Sequence, residues 1–300
     1  MLIKRLLRPT ELLLLLAVLF AMLVQAPVVR NAVTVGLRLA IGSLVPSLFA
    51  FSVVAQLLVR MQLMRPLERL AAPLWRKLHL PEASLTAFLL GAAGGYPLGA
   101  QTVASLCTAG QLGKSEAEEA LGFTNNCGLA YVVSVLAPIL GLDLSDALKL
   151  YAVHIFAALF SAVVLHLLYG SVKDVAVQNR KVPAAESFAS ALTASVGNAA
   201  VSMLTLSGFV CLFFVISALI RLLPVSLPNF VFGLLELSAG VTALERGDLA
   251  LAAFLIGFGG VCVLCQTAAV TAMNKLRLQR YLLGKLLQGM FSVVVVRLFF

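Results

Sequence analysis

The chain has 300 residues, 61% of them hydrophobic and only 12% charged, with a formal net charge of +9. Mean hydropathy is +1.03. A soluble globular chain is about 25% charged, so a soluble enzyme, a disordered tail and a nucleic-acid-binding module are excluded, and an all-α polytopic membrane protein is expected.

Runs free of Asp, Glu, Lys and Arg cover 12–29, 39–59, 83–113, 120–142, 150–172, 187–220 and 249–274. Each is near or above the ~20 apolar residues that span a bilayer. Shorter candidates lie at 222–244, interrupted by Glu236, and at 286–296. About seven to nine membrane segments are predicted.

Residues 1–30 read as a retained membrane helix. The start is basic (Lys4, Arg5, Arg8), the core from Leu12 to Leu23 is Leu-rich, and no small-x-small cleavage site precedes Pro27. Together with 39–59 this predicts two crossings. They return the next basic cluster, Arg60, Arg65, Arg69, Arg76 and Lys77, to the cytoplasmic side favoured by Lys and Arg. Residues 60–82 mix bases with apolar residues and hold the single Trp, Trp75, which fits an interfacial amphipathic segment or a cytoplasmic loop.

The runs 83–113 and 187–220 are 31 and 34 residues long, too long for simple crossings, and both carry small and polar residues. Both are predicted to be broken or re-entrant, since irregular backbone at membrane depth is tolerated inside protein or beside a water-filled cavity. A re-entrant 83–113 leaves crossings at 120–142 and 150–172, which bring the polar linker 170–186 (Lys173, Arg180, Lys181) back to the cytoplasmic side. Ser115-Glu116-Ala117-Glu118 resembles a capping box opening a helix at 116. The last basic cluster is Lys275, Arg277, Arg280 and Lys285.

The linker divides a first repeat, 31–169, from a second, 187–300. Ala87–Gly91 matches Ala253–Gly257, Gly94-Gly95 matches Gly259-Gly260, and Gln101-Thr102 matches Gln266-Thr267. Transporters built from two repeats bind substrate at their interface, and interrupted apolar segments at corresponding positions point to that site.

Four constellations stand out. Gly91, Gly95 and Gly99 form overlapping GxxxG motifs that suit close helix packing. Tyr96-Pro97 within them disfavours helix and predicts a break whose backbone a ligand meets, with Gln101 nearby. Asn125-Asn126 places two amides in a neutral span, suited either to a polar uncharged substrate or to a bond between helices. Glu236 is an acid flanked by apolar sequence on both sides, able to carry a proton or bind a coupling cation. Cys262 and Cys265 form a CxxC, but a structural zinc site needs further ligands. The predicted substrate-binding set is Gly95, Tyr96, Pro97, Gln101, Asn125, Asn126 and Gln266, with Glu236 for the coupling ion or proton. No resident metal, cofactor or catalytic triad is expected.

Gly42–Phe51, Gly94–Ala100 and Phe123–Gly128, with Leu235–Gly240 and Gly257–Gly260 in the second half, resemble the nucleoside-recognition or Gate domain family, in its YlbJ-type sporulation membrane proteins. The resemblance covers roughly 31–272. Departures are Gly128-Leu129 where Gly-Pro is common, and Val261-Cys262 opposite Tyr96-Pro97. Gate domains occur in concentrative nucleoside transporters and in the ferrous-iron transport protein B, whose GTPase motif this chain lacks. The resemblance implies a non-enzymatic permease of a small polar, nucleoside-like solute in the bacterial inner membrane. Its partners are then the lipid bilayer, the solute, and a second copy or another membrane protein, and no nucleic acid. The alternatives are a non-transporting component of spore formation acting through a protein partner, and a metal-ion permease.

Overall fold

The structure, a computed structural model, describes residues 2–170 and 186–300, with side chains from Pro9 onward. The linker expected at 170–186 therefore lies almost wholly outside the described residues, as do the side chains of Lys4, Arg5 and Arg8. Every regular element among the described residues is helical. Six helices are long and apolar enough to cross a membrane, and two shorter apolar helices, Pro9–Val24 and Ser84–Gly94, accompany them. The protein is an all-α polytopic membrane protein.

Helix α1 (Leu2–Val24) meets α2 (Ala26–Leu39) at Gln25, where the chain leaves helical geometry for one residue. A π turn, Ala40–Leu44, then leads without a loop into α3 (Val45–Arg60). The expected crossings at 12–29 and 39–59 are thus redrawn, because residues 26–60 form one 35-residue span. Arg30 and Arg38 ended the charge-free runs but not the helix, since both lie on its exposed side. The π turn directly precedes Pro46, whose missing N–H leaves an i−4 bond unmade. The same pairing of π turn and proline recurs at Val132–Leu136 and Pro138.

Helix α4 (Arg65–Lys77) is amphipathic. It buries Ala72 and Trp75, and exposes Arg65, Arg69, Arg76 and Lys77. The Trp75 indole donates to Ser84 Oγ at 3.0 Å, which ties α4 to the start of α5 (Ser84–Gly94). Helix α6 (Leu98–Thr108) folds back against α5. Segment 83–113 is therefore a re-entrant hairpin, as its composition predicts.

Helix α7 (Lys114–Thr124) starts earlier than the expected 116, with Gly113 as its cap. The Glu116 carboxylate accepts from the Gly113 N–H at 2.9 Å. Four residues, 125–128, break this crossing before α8 (Leu129–Tyr131) and α9 (Ala137–Leu140) complete it. Helix α10 (Leu144–Tyr169) returns.

Helix α11 (Phe188–Ile220) corrects the expectation for 187–220, for it is unbroken over 33 residues. Its polar residues are mainly Ser and Thr, and several bond back to the preceding turn: Thr193 to Ala189 O, Thr205 to Val201 O, Ser207 to Met203 O. No proline interrupts it. At 1.5 Å per residue it is about 50 Å long, more than the ~30 Å hydrocarbon core, so it must tilt or protrude. It runs antiparallel to α2–α3: Cys211 packs on Gly36, and Arg60 bonds Glu186 at 2.8 Å.

Helices α12 (Asn229–Leu235) and α13 (Leu237–Val241) form a second hairpin, with Glu236 at its tip. Helices α14 (Leu249–Phe258) and α15 (Gly260–Thr271) share one crossing broken at Gly259. Helix α16 (Gln279–Phe299) is a full crossing, where the sequence marked only 286–296.

Polar contacts sort the loops onto two faces. On one, Glu118 accepts from the Arg277 N–H at 2.9 Å, and Arg280 bonds Ser115 O at 3.0 Å and covers the Tyr169 ring. Asn274 bonds Thr108, and His79 stacks on His166, which bonds Glu119 at 3.2 Å. On the other face Arg246 lies against Gly141, near Asp143, Asp146, Glu245 and Asp248. The α5–α6 hairpin enters from the first, base-rich face and the α12–α13 hairpin from the second.

Each hairpin is pinched by a glycine pair around its tip. A Cβ on Gly91 would lie 3.0 Å from Gly99 Cα, and one on Gly240 2.1 Å from Gly233 Cα. The halves thus correspond as long helix, re-entrant hairpin, broken crossing and whole crossing. This pairs α5–α6 with α12–α13, whereas the sequence matches had set α5 opposite α14.

A Cβ on Gly91 would also come within 1.9 Å of Thr124 O, while one on Gly197 meets nothing within 4 Å. Gly91→Ala should lose about 1–3 kcal/mol through overpacking. Gly197→Ala should be neutral or gain up to ~1 kcal/mol of helix propensity. Thermal unfolding of the detergent-solubilised variants checks the pair. Equal melting temperatures would contradict the packing.

Candidate functional site

Two hairpin tips and two helix breaks converge inside the bundle. At the first tip Gly95 has φ +80°, a left-handed conformation open to glycine, and it packs on the backbone of Gly128 in the α7–α8 break. The following Tyr96–Pro97 peptide is cis. The Tyr96 hydroxyl donates to Ile256 O at 2.7 Å. That carbonyl belongs to the last turn of α14, where intrahelical partners run out. The Tyr96 ring lies against Gly259, which has φ +82°. One side chain from the first tip therefore closes the α14–α15 break.

At the second tip Glu236 is 3% exposed, and its Oε2 accepts from the Ala239 N–H at 2.7 Å, capping α13. Between the tips and the long pair α3/α11 lies an open-mouthed cleft. Leu44, Leu48, Phe51, Leu206 and Val210 line its apolar side. Its polar side carries Ser47, Tyr96, Tyr131, Glu236, Ser238 and Gln266.

Of the residues singled out in the sequence, Gly95, Tyr96, Glu236 and Gln266 meet on this cleft. Pro97, Gln101, Asn125 and Asn126 are buried behind its wall. Gln101 Oε1 accepts from Ser52 at 3.4 Å. Asn125 joins three helices: its Oδ1 accepts from the Ala100 N–H, and its amide donates to Thr267 Oγ1 at 3.0 Å and to the Tyr281 hydroxyl. Asn126 donates to Phe123 O at 2.8 Å and accepts from Gln288 at 3.0 Å and Lys285 at 3.3 Å.

Lys285, His154 and Gln288 were passed over in the sequence. Lys285 closes the last basic cluster of the sequence, yet it is fully buried. The signal was present as spacing. Tyr281, Lys285, Gln288, Ser292 and Val296 recur every three or four residues and, with Gly284, form the buried stripe of α16, while Leu282, Leu286, Met290 and Val294 face outward. His154 Nε2 accepts the Cys127 N–H at 3.1 Å, so α10 also holds the α7–α8 break.

Cys262 accepts from the Gln266 amide at 3.3 Å. Among the described residues no group of three or more His, Cys, Asp or Glu gathers to hold a metal.

Tyr96→Phe removes a donor to the Ile256 carbonyl without changing the ring. It should cost about 1–3 kcal/mol and loosen the α14–α15 break. Hydrogen exchange of the amides from 256 to 262 measures this, and unchanged protection would contradict it.

No family model matches the chain, and no solved structure matches it. The chain is similar to the sporulation integral membrane protein YlbJ of Bacillus subtilis (strain 168). The two are 24% identical over 301 aligned positions, which cover 84% of this chain and 73% of that protein. The likeness to that integral membrane protein runs over most of the chain and agrees with the six candidate spans of an all-helical membrane protein.

Proposed function

We propose that the protein is a multi-pass permease of the bacterial cytoplasmic membrane that carries a small polar, nucleoside-like solute through the cleft between the hairpin tips. The carrying observation is the meeting of two re-entrant hairpins, entering from opposite faces, on one cleft lined by Tyr96, Glu236 and Gln266. Broken helices at membrane depth beside a cavity are the arrangement in which transporters bind substrate. The cleft suits an amphiphilic ring compound. Phe51, Leu206 and Val210 meet its apolar faces, and Gln266, Ser238, Tyr131 and Glu236 meet its polar edge. The base-rich face is cytoplasmic by the positive-inside rule. The Gate-like residues Gly94–Ala100 and Phe123–Gly128 supply the first tip and the α7–α8 break, which supports the nucleoside-like reading.

Glu236, the carboxylate on the cleft, is the site for a coupling proton or cation in this reading. Proteoliposomes offered a panel of labelled nucleosides should show saturable uptake driven by a proton or sodium gradient. Glu236→Gln should abolish the driven component, and uptake unchanged in that variant would sink the coupling role. Asn126→Ala, which strips an acceptor from Lys285 and Gln288 behind the wall, should lower uptake about tenfold or more.

The name of the Bacillus relative favours a second reading, a non-transporting component of spore formation acting through a protein partner. It predicts no uptake of any solute on the panel, and a sporulation defect in a spore-forming host that Asn126→Ala and Glu236→Gln leave uncorrected only if they disturb partner capture.

A further inference from the structure

Lys285 is a cation placed inside the bundle on α16 with no carboxylate beside it. Its Nζ lies 2.7 Å from Gln288 Oε1 and 3.3 Å from Asn126 Oδ1, and 5.7 Å from the centre of the Tyr96 ring. None of the ion pairs among the described residues includes it. A buried charge is ordinarily paired with an opposite charge, because removing it from water is costly. Here two amide oxygens and the face of an aromatic ring do that work.

The neighbours give this charge a mechanical consequence. Asn126 lies within the α7–α8 break, and Cys127 and Gly128, the next two residues, form cleft wall. Gly128 in turn packs on Gly95 of the first tip, and Tyr96, whose ring the ammonium faces, lines the same cleft. The ammonium therefore clamps α16 to the α7–α8 break and to the first tip from behind.

We propose that Lys285 is a proton-binding site whose charge state sets the fit of the cleft wall. With the proton bound, three N–H donors serve Gln288, Asn126 and the Tyr96 ring, and the wall is held. When the proton leaves to water in the cleft, the nitrogen keeps two N–H groups and a lone pair. The charge-assisted bonds weaken and the Asn126–Gly128 segment is released. If the cleft is the solute site, a reading on which only this last step rests, the proton bound at Lys285 is coupled to solute movement from the far side of Tyr96, in addition to any bound at Glu236.

Other titratable groups face the same spot. His154 comes from α10, Cys127 from the α7–α8 break, Tyr96 from the first tip, and Tyr281 lies one turn earlier on α16. Glu119 and His166 pair near the base-rich face, α14 contributes no titratable side chain, Glu236 stands across the cleft, and Cys262 is taken up by the Gln266 amide. The experiment must separate Lys285 from all of these.

Hydrogen exchange of the full chain in lipid nanodiscs, read on amides 125–131 and corrected for the chemical exchange rate at each pH, does so without any solute. Between about pH 6 and about pH 9 the wild type should lose protection on the order of tenfold. Lys285→Gln should be weakly protected at both ends and Lys285→Arg strongly protected at both, while Glu236→Gln should follow the wild type. A wild type whose protection does not change with pH overturns the proposal. So does Lys285→Arg tracking the wild type, which decides the matter even where the Gln variant does not fold. Silence in the nucleoside uptake assay with this pattern intact would remove the solute reading and leave the proton site standing.

Discussion

Everything in this molecule answers to one constraint. A helix broken inside a bilayer exposes backbone N–H and C=O groups, and lipid offers them nothing. Among the described residues the helices break at four places within the bundle, at residues 95–97, 125–128, 236 and 259, and a side chain repairs each break. Tyr96 reaches the Ile256 carbonyl, His154 takes the Cys127 N–H, Asn125 takes the Ala100 N–H, and Glu236 takes the Ala239 N–H. Two repairs cross between the halves of the chain or between distant helices, so the breaks are interdependent.

The hairpins show how close approach is achieved where no water can fill a gap. The pinching pairs Gly91/Gly99 and Gly233/Gly240 let each hairpin turn within a few residues. Gly122 and Gly284 do the same between α7 and α16, where a Cβ on Gly284 would sit 2.6 Å from Gly122 O. Such contacts replace the hydrophobic driving force that is lost when the solvent is itself apolar. These paired glycines mark where backbones touch, while the prolines Pro46 and Pro138 follow the π turns of the long crossings.

The legibility of the sequence was uneven, for physical reasons. The break at 95–97 was readable because Gly-Tyr-Pro forbids helix by itself. The unbroken α11 was not, because Ser and Thr look like breaks in composition yet bond back to their own helix. Charges that ended the first apolar runs, Arg30 and Arg38, merely sit on an exposed side of one helix. The internal match drew on Ala, Leu, Gly and Phe, which membrane sequence repeats freely, and it set α5 against α14, whereas the faces pair α5–α6 with α12–α13. Glu236 was conspicuous because it is isolated. Lys285 was hidden because it follows Lys275, Arg277 and Arg280, and only its spacing with Gln288 and Ser292 separates it from them. Asn125 and Asn126 were visible as costly amides, but their placement behind the cleft wall depends on partners more than 140 residues away.

The inward stripe of α16 also bears on how the protein is made. A lysine and a glutamine near the middle of a helix disfavour its partition into lipid, by about 2.5–3.5 kcal/mol for the lysine on insertion scales. Helix α16 is therefore poorly suited to leave the translocon alone. Its polar stripe is complementary to α7, the α7–α8 break and α10, all of which precede it in the chain. Synthesis thus delivers the receptor before the guest. A lesion in Asn126 or His154 would then show itself first as a failure of membrane integration, with α16 left stranded at the interface, before any question of activity arises.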